Sequence, residues 1–275
     1  MNYRHAYHAG NFADVVKHLA LTAILLHLRK KAAPFAVIDT HAGRGTYDLA
    51  DERAARTGEA ANGIGKLGGV QADGALGDYL RIAGGGAHYP GSPLIAAALL
   101  RPQDRLVAIE KHPDEFAALK AALAGARNAR AEEGDGYARL PALLPPPERR
   151  GVVLIDPPFE ADDEFAAQAE ALRIGLRRWA TGIFLLWFPV KSAAEANAFS
   201  GEILNAGAKK AVRIDLDVGL EAPTIGTRTR LSATGLIAVN APYGFAEEMR
   251  EALAQIAPLL SAKAESTVRV LAGED

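Results

Sequence analysis

The sequence predicts a doubly wound α/β fold, in which helices cover both faces of a largely parallel sheet. Short apolar runs alternate with segments of helical periodicity along most of the chain. The apolar runs are nearly continuous, as is typical of strands that are buried on both faces of a sheet. Several of them end in glycine or acidic residues, and open α/β sheets bind their ligands at the carboxyl ends of such strands.

The predicted strands are short runs that start or end beside proline, glycine or acidic residues. They cover residues 35–39, 105–110, 129–132, 151–156, 182–188 and 231–240. The predicted helices have apolar side chains at a spacing of three or four residues, and they cover residues 12–31, 113–123, 165–179 and 245–260. In the first helix the cations Arg29, Lys30 and Lys31 lie at the carboxyl end, where the helix dipole favours positive charge.

Residues 47–90 interrupt this alternation of strands and helices. They are rich in glycine and alanine and show no strong strand pattern. A structureless loop of this length is uncommon inside a compact domain. We therefore expect a small helical insertion subdomain at 47–90, and a main domain formed by residues 1–46 and 91–275.

The composition excludes several classes of protein. A chain of 275 residues without cysteine is long enough for one large domain and has no disulfides, no catalytic thiol and no cysteine-bound zinc. No apolar run approaches the roughly 20 residues that span a bilayer, and the first ten residues lack the apolar segment of a signal peptide. We therefore expect a cytoplasmic protein without a membrane partner. The formal net charge of −2 excludes a strongly basic surface that binds nucleic acid without specificity.

A local basic surface near the amino terminus is compatible with this net charge. Five of the seven histidines lie within the first 41 residues, together with Arg4 and Lys17. Tyr3 and His5 are able to stack on bases, while Arg4 and Lys17 are able to contact phosphate. The alternative is an ordinary solvated helix with an amino terminus that docks onto the domain.

Glycines follow the first predicted strand, in the string Asp39-Thr-His-Ala-Gly-Arg-Gly45. Glycine allows a tight turn and a close approach of the backbone to a ligand. The third glycine of the dinucleotide-binding fingerprint is missing, because Tyr47 and Asp48 follow instead. A plain turn between strand and helix therefore remains an alternative for this motif.

Acidic residues follow the next two strands. Glu110 closes one strand, where a carboxylate is able to accept hydrogen bonds from two ribose hydroxyls. Asp135 and Gly136 follow the other strand, where the carboxylate is able to accept from an adenine amino group. Taken singly, Glu110 is better explained as a solvated strand end and Asp135 as part of a plain turn.

The most specific motif is Asp156-Pro157-Pro158-Phe159, which directly follows a buried strand. The prolines lack N–H donors, so the Pro157 carbonyl and the Asp156 carboxylate form a pair of acceptors. Phe159 adds a flat face on which a base can stack. An acceptor pair beside an aromatic ring suits the exocyclic amino group of a purine. Together with the glycine turn, Glu110 and Asp135, this motif predicts an S-adenosylmethionine-dependent methyltransferase that acts on an amino nitrogen.

The sequence resembles the RlmJ family of 23S rRNA adenine-N6 methyltransferases over nearly its whole length. Two of the strings that carry the resemblance, YRHAYHAGN at 3–11 and YPGSP at 89–93, are not general features of methyltransferases. The others lie at residues 13–18, 39–43, 56–59, 150–158 and 180–182. The resemblance implies a Rossmann-like class I methyltransferase fold with a small helical insertion, S-adenosylmethionine as the cofactor and 23S rRNA as the substrate.

The resemblance also implies roles for individual residues. The cofactor-binding residues would be His18, His41, Ser92, Glu110, Asp135, Gly136 and Asp156. Asp156 would in addition be the catalytic acceptor, and Tyr3 would lie against the RNA. With Arg4, His5, Lys17 and Phe159, Tyr3 forms the expected substrate-binding set. Family members often have tyrosine at the position of Phe159, so a contact from that hydroxyl is not expected here.

Other functions stay open at this stage. The Asp-Pro-Pro-aromatic motif also occurs in DNA adenine-N6 methyltransferases, although a small insertion leaves little room for a duplex-reading domain. Protein glutamine methylation is disfavoured, because its motif begins with asparagine where this chain has Asp156. An RNA-binding module without catalytic activity is the non-enzymatic alternative. We expect a monomer with no bound metal and no obligate protein partner.

Overall fold

The structure, a computed structural model, describes residues 8–50, 58–219 and 231–273, together with the backbone of two short strands between the last two ranges. Its helices are α1 Phe12–Arg29, α2 Gly74–Ala83, α3 Ser92–Leu99, α4 Pro113–Ala122, α5 Gly136–Leu143, α6 Glu164–Arg178, α7 Ala193–Asn205 and α8 Phe245–Leu260, with a 3₁₀ turn at Ile64–Leu67. Its strands are β1 Ala36–Asp39, β2 Thr46–Asp48, β3 His88–Pro90, β4 Arg105–Glu110, β5 Ala129–Glu133, β6 Gly151–Ile155, β7 Ile183–Pro189, β8 Ala211–Asp217, β9 Thr224–Ile225, β10 Arg228–Thr229, β11 Ala233–Val239 and β12 Glu265–Ala272.

The central sheet has eight strands in the order β12-β8-β11-β7-β6-β1-β4-β5. The five strands from β7 to β5 are parallel, and β11 is antiparallel to both β7 and β8. The predicted α/β fold is therefore confirmed. Because β8 is antiparallel to β11, it points the same way as the parallel strands. The carboxyl ends of β1, β4, β5, β6, β7 and β8 consequently share one border of the sheet, which we call the ligand edge.

Side chains of the parallel strands alternate between two hydrophobic layers. Val37, Leu106 and Leu154 face the layer that contains α1, α3 and α8. Ile38 and Val153 face the layer that contains α6 and α7. Burial on both faces accounts for the unbroken apolar runs in the sequence.

Helix α1 lies deep in the first layer, and its amino terminus is fixed by side chains. Asn11 accepts a hydrogen bond from the backbone N–H of Asp14 at 2.9 Å, and Asp14 accepts from the N–H of Gly10 at 2.9 Å. These bonds satisfy donors that the first helical turn leaves unpaired. Because these two hydrogen bonds join the residues before the helix to its first turn, they hold the start of α1 in one orientation.

The region 47–90 contains α2 and the 3₁₀ turn, and short strands β2 and β3 pair with each other at its two ends. The short strands were not expected from the sequence. Buried Leu67, Leu76 and Tyr79 of this region belong to the same hydrophobic layer as α1. Residues 51–57 lie outside the described part of the chain, and the division into a main domain and an insertion subdomain stays a prediction.

None of the helices in the described ranges is both long and apolar enough to cross a bilayer.

Gly63 allows the segment at 58–67 to pack tightly against the start of α1, and its replacement by alanine is expected to destabilise the protein. A Cβ atom at Gly63 would lie 2.1 Å from the carbonyl oxygen of Gly10 and 2.7 Å from backbone atoms of Asn11. Backbone cannot yield as a flexible side chain does, so we expect a loss of roughly 1–3 kcal/mol in the free energy of unfolding. Urea denaturation of the wild type and the variant measures this loss of unfolding free energy.

The matched control for this prediction is Gly201→Ala in α7, where a Cβ atom meets nothing within 4 Å. Alanine is the better helix former, so this control is expected to be neutral or to gain up to about 1 kcal/mol. Equal stability of the two variants would contradict the role given to Gly63.

Candidate active site

Lys17 lies at the centre of the ligand edge, between two carboxylates. Its Nζ atom is 2.7 Å from Oδ1 of Asp14 and 2.6 Å from Oδ2 of Asp156, which follows β6. The Lys17 side chain is 4% exposed and the Asp156 side chain 15%. Burial by itself lowers the pKa of Lys17, but the two carboxylates outweigh it and hold that pKa above its usual value. Lys17 was expected to contact RNA phosphate, whereas the structure buries its ammonium in this ion pair.

Aromatic rings lie beside the Lys17–Asp156 pair. The Trp187 ring centroid is 5.8 Å from the Lys17 ammonium, and the Phe159 ring contacts Trp187 at 5.6 Å and Phe165 at 4.9 Å between centroids. Phe159 has a φ of 50°, in the left-handed region that bulky residues rarely adopt. The strand-ending prolines and this unusual φ turn the chain so that Phe159 packs back against β7.

Asp39 closes β1 as a buried carboxyl group that is 1% exposed. The Ser92 hydroxyl donates to its Oδ2 at 2.7 Å, and the His41 backbone N–H donates to its Oδ1 at 3.3 Å. Burial raises the pKa of Asp39 to about 7, and the Ser92 hydrogen bond only partly opposes this rise. Ser92 was expected among the cofactor residues; the structure places it on this carboxyl group.

Glu110 is fixed by backbone donors from two loops. The Gly43 N–H donates to its Oε2 at 2.9 Å, and the His112 N–H donates to its Oε1 at 2.7 Å. Gly43 and Gly45 have φ values of 62° and 85°, which confirms that the turn after β1 requires glycine. Burial raises the pKa of Glu110, while these N–H groups lower it. The carboxylate thus faces the ligand edge in one orientation.

Asp135 and Gly136 form the turn between β5 and α5. Asp135 caps α5 by accepting from the Ala138 N–H at 3.1 Å, and its other oxygen is 2.9 Å from the Lys111 ammonium. A Cβ atom at Gly136 would lie 2.0 Å from the carbonyl oxygen of Thr40, so this turn packs directly against the end of β1. Gly136 therefore has a packing role, whether or not it contacts a ligand.

The two histidines of the expected cofactor set lie in different surroundings. His18 shares a 2.7 Å hydrogen bond with the Tyr89 hydroxyl, which is 3.0 Å from the Tyr79 hydroxyl. His41 packs edge-on against Tyr137, with centroids 4.9 Å apart. Burial lowers the pKa of His41 to about 4, so its ring is neutral at physiological pH.

The structure gathers the described members of the expected site at the ligand edge. Asp156, Glu110 and Asp135 follow β6, β4 and β5, and His41 follows β1. Tyr3, Arg4 and His5 lie outside the described residues, so their expected contacts with RNA stay predictions. Among the described residues no group of three or more histidine, aspartate and glutamate side chains has the arrangement of a metal site.

Sequence reasoning missed Asp14, Asp39 and Trp187 as members of this site. Asp39 carried a usable signal, because it ends a buried strand in the same way as Glu110 and precedes the glycine turn. Trp187 lay inside an apolar run and looked like any other core residue. Nothing in the sequence indicated that Asp14 would share Lys17 with Asp156, because the contact joins residues 139 positions apart.

The raised pKa of Asp39 predicts a pH-dependent contribution to stability. A carboxyl group with a folded-state pKa near 7 binds more protons when folded than when unfolded, so its contribution is fully present below about pH 4 and is lost as the pH rises through 7. One pKa unit corresponds to about 1.4 kcal/mol, so the loss is on the order of a few kcal/mol. His41 titrates with the opposite sign, because its pKa is depressed.

The Asp39→Asn variant isolates this contribution, because asparagine resembles the protonated acid and does not titrate. As the pH rises from 4 to 8, we expect the unfolding free energy of the wild type to fall relative to that of the variant. Urea denaturation across this range measures it, with exposed Asp162→Asn as the matched control. A difference that does not change with pH would show that Asp39 has an ordinary pKa.

Comparison with known proteins agrees with this fold. The family model described as ribosomal RNA large subunit methyltransferase D, RlmJ, matches residues 32–271. The protein named ribosomal RNA large subunit methyltransferase J from Escherichia coli (strain K12) is 38% identical over 262 residues, which cover 92% of this chain and 91% of that protein. Its namesake from Haemophilus influenzae is 36% identical and covers 92% of both chains.

A solved structure shows the same fold. The crystal structure of a Legionella pneumophila protein superimposes with a TM-score of 0.85 at 32% sequence identity, over 96% of this chain and 98% of that one. The expected Rossmann-like methyltransferase fold is thereby confirmed. The chain belongs to the family of the ribosomal RNA large subunit methyltransferase J.

Proposed function

We propose that this protein transfers a methyl group from S-adenosylmethionine to the exocyclic N6 of an adenine in 23S rRNA. One observation carries the proposal: the Asp156 carboxylate, at the end of β6 and beside Pro157, is held by Lys17, whose ammonium lies 5.8 Å from the centre of the Trp187 ring, and Phe159 contacts that ring. An acceptor pair beside aromatic faces suits a base that presents an amino group. The family relationship supports an rRNA substrate.

The residues along the ligand edge fit S-adenosylmethionine. Backbone N–H groups of Gly43, His112 and Lys111 act on the Glu110 carboxylate, and a carboxylate offers about four acceptor positions, so capacity for a ribose hydroxyl remains. The left-handed conformations of Gly43 and Gly45 keep the turn after β1 tight and bring the Gly43 N–H onto Glu110. His18, His41, Ser92, Asp135 and Gly136 complete the set that we propose to hold the cofactor. When bound, the cofactor supplies an electrophilic methyl group on a positively charged sulfur.

Asp156 and the Pro157 carbonyl position the nitrogen that is methylated. The N6 lone pair of adenine is conjugated with the ring and is a poor nucleophile. Hydrogen bonds from both N6–H groups to these two acceptors favour the pyramidal nitrogen, whose lone pair is available. Asp156 then stabilises the positive charge that develops on nitrogen and accepts the proton that becomes acidic.

Lys17 keeps the Asp156 carboxylate in place while this happens. Its ammonium contacts Oδ2 only, so Oδ1 is the oxygen that we assign to the substrate. The second contact of Lys17, to Asp14, ties this arrangement to the first turn of α1. A target inside an RNA helix would have to be extruded, at a cost of a few kcal/mol, before it reached Asp156.

The remaining expectations complete the proposal. We place the protein in the cytoplasm, as a monomer, with Tyr3, Arg4 and His5 contacting the RNA. DNA adenine methylation is the alternative substrate class, because the same acceptor pair serves either nucleic acid. A parallel assay with a DNA duplex of the same sequence as the rRNA fragment separates the two.

Replacement of Asp156 by alanine is expected to lower the rate of methyl transfer to rRNA about 10²–10³-fold, because an electrostatic partner of the transition state is lost. The fold should persist, since Asp14 still pairs Lys17 in the variant. Transfer of a radioactive methyl group to a 23S rRNA transcript measures the rate, and exposed Asp162→Ala is the matched control. Wild-type activity in a correctly folded Asp156→Ala protein would refute the assignment.

Replacement of Glu110 by glutamine is expected to weaken binding of S-adenosylmethionine about 10-fold or more. The glutamine amide must turn its NH₂ group toward either the Gly43 or the His112 N–H, which leaves two donors facing each other. A hydrogen bond to a charged group contributes roughly 1.5–3 kcal/mol. Calorimetry measures the affinity, and RNA affinity should stay unchanged. Glu133→Gln at the exposed end of β5 is the control; equal affinities in both variants would contradict the ribose role.

A further inference from the structure

An open cavity of about 140 Å³ lies between the start of α1, the segment at 58–67 and the carboxyl end of α8. Its lining contains the apolar side chains of Phe12, Leu231 and Leu260 and the polar side chains of Glu59, Asn62 and Lys66. None of these residues belongs to the candidate active site.

The cavity opens near the same border of the sheet as the active site. Val218, which directly follows β8, lines it, and so does Leu231, which precedes β11. The register pairs Asp217 of β8 with Ala233, and Thr234 with Pro189 at the end of β7. Strand β8 is three strands away from β6, and strands lie about 4.8 Å apart, so the cavity lies on the order of 14 Å from Asp156. A few nucleotides of RNA span this distance.

The polar lining of the cavity is organised before any ligand binds. Oε1 of Glu59 is 3.0 Å from Nδ1 of His8, and Oε2 of Glu59 accepts from the Asn11 side chain at 3.0 Å. Asn11 is in turn the cap of α1, so the carboxylate is held rigidly at the rim. Lys66 is exposed, and its ammonium donates to the carbonyl of Leu260 at 2.8 Å. The cavity thus combines apolar lining side chains, a fixed acceptor and a cation at its mouth.

We propose that this cavity binds one unpaired base of the RNA substrate, other than the adenine that is methylated. The base would lie against Phe12 and Leu231, its amino group would donate to Glu59, and its phosphate would contact Lys66. Carboxylates accept from base amino groups such as cytosine N4, and splayed bases of single-stranded RNA are bound in this way. The inference rests on the proposed function, because it assumes that RNA reaches the ligand edge.

Two separate variants test this proposal: Asn62→Trp fills the opening of the cavity, and Lys66→Ala removes its ammonium group. Asn62→Trp places a bulky ring at an exposed lining position, and its control Asn205→Trp carries the same change at the exposed end of α7. Fluorescence anisotropy with a labelled 23S rRNA transcript measures RNA affinity. We expect Asn62→Trp to bind the transcript about 10-fold or more weakly, in line with the loss of one bound base, and to bind S-adenosylmethionine normally.

Lys66→Ala gives a second measurement that does not depend on whether the Asn62→Trp variant folds. Loss of one phosphate contact to a single strand reduces the slope of log affinity against log salt concentration by about 0.7. Lys120→Ala, an exposed lysine on α4, should leave the slope unchanged. Thermal melts show whether loss of the contact with Leu260 unfolds the variant.

The outcomes separate this inference from the proposed function. Methylation by the wild type with unchanged RNA affinity in Asn62→Trp and an unchanged salt slope in Lys66→Ala would overturn the cavity proposal alone. Weaker RNA binding in these variants without methylation by the wild type would support the cavity and overturn the proposed function. A wild type that does not bind the transcript would overturn both.

Discussion

The ion pair of Lys17 with Asp14 and Asp156 is the interaction on which the site depends. It joins the first turn of α1 to the end of β6, and both partners of the lysine are largely removed from solvent. Buried ion pairs add little net stability, because desolvation offsets most of their attraction. Their effect is on geometry: Asp14 and Asp156 have to stay within reach of one ammonium, which fixes α1 against the sheet edge. The position of Asp156 therefore depends on how α1 packs against the sheet.

The sheet arranges the other acidic groups around this pair. Asp39 and Glu110 end neighbouring parallel strands; the register places Asp39 beside Ala108 and Leu154, so it lies two residues before the level of Glu110 and Asp156. Each is held by donors from a different part of the chain: Ser92 from α3 for Asp39, and the turn after β1 for Glu110. These donors orient the carboxyl groups without neutralising their charge. The result is a rigid set of acceptors along one border.

Much of this architecture could be predicted from the sequence, because the signals were local. The apolar runs of β1, β4, β6, β7 and β11 and the periodic helices α1, α4, α6 and α8 are found within about three residues of the predicted bounds. Strands β8 and β12 were missed, since Arg213, Asp215 and Arg269 interrupt their apolar pattern. Those charges are accommodated because Asp215 pairs both arginines across the two strands.

The limits of sequence reasoning at the site have the same origin. A strand-ending acid followed by prolines is visible in the chain, so Asp156 was found. The partner that holds it was misjudged, because Lys17 lies in a basic amino-terminal region whose side chains were expected to contact RNA phosphate. Lys17 was expected at the surface for this reason, yet fifteen residues of α1 are buried. The error came from unknown tertiary packing around α1, which no local pattern reports.

The charge balance of the site agrees with the proposed chemistry. Asp14 and Asp156 contact the ammonium of Lys17, and Asp39 and Glu110 end the next two strands of the sheet. Among the described residues of the site, carboxyl groups therefore outnumber the buried ammonium. The raised pKa of Asp39, to about 7, is a consequence of burial and of this excess, since the Asp156 carboxylate is among its causes. A site with unbalanced negative charge stabilises cationic ligands and a nitrogen that is becoming positive. S-adenosylmethionine would bring a positively charged sulfur to these carboxylates, and its product would be a neutral thioether. The carboxylates would therefore hold the methyl donor more strongly than the product.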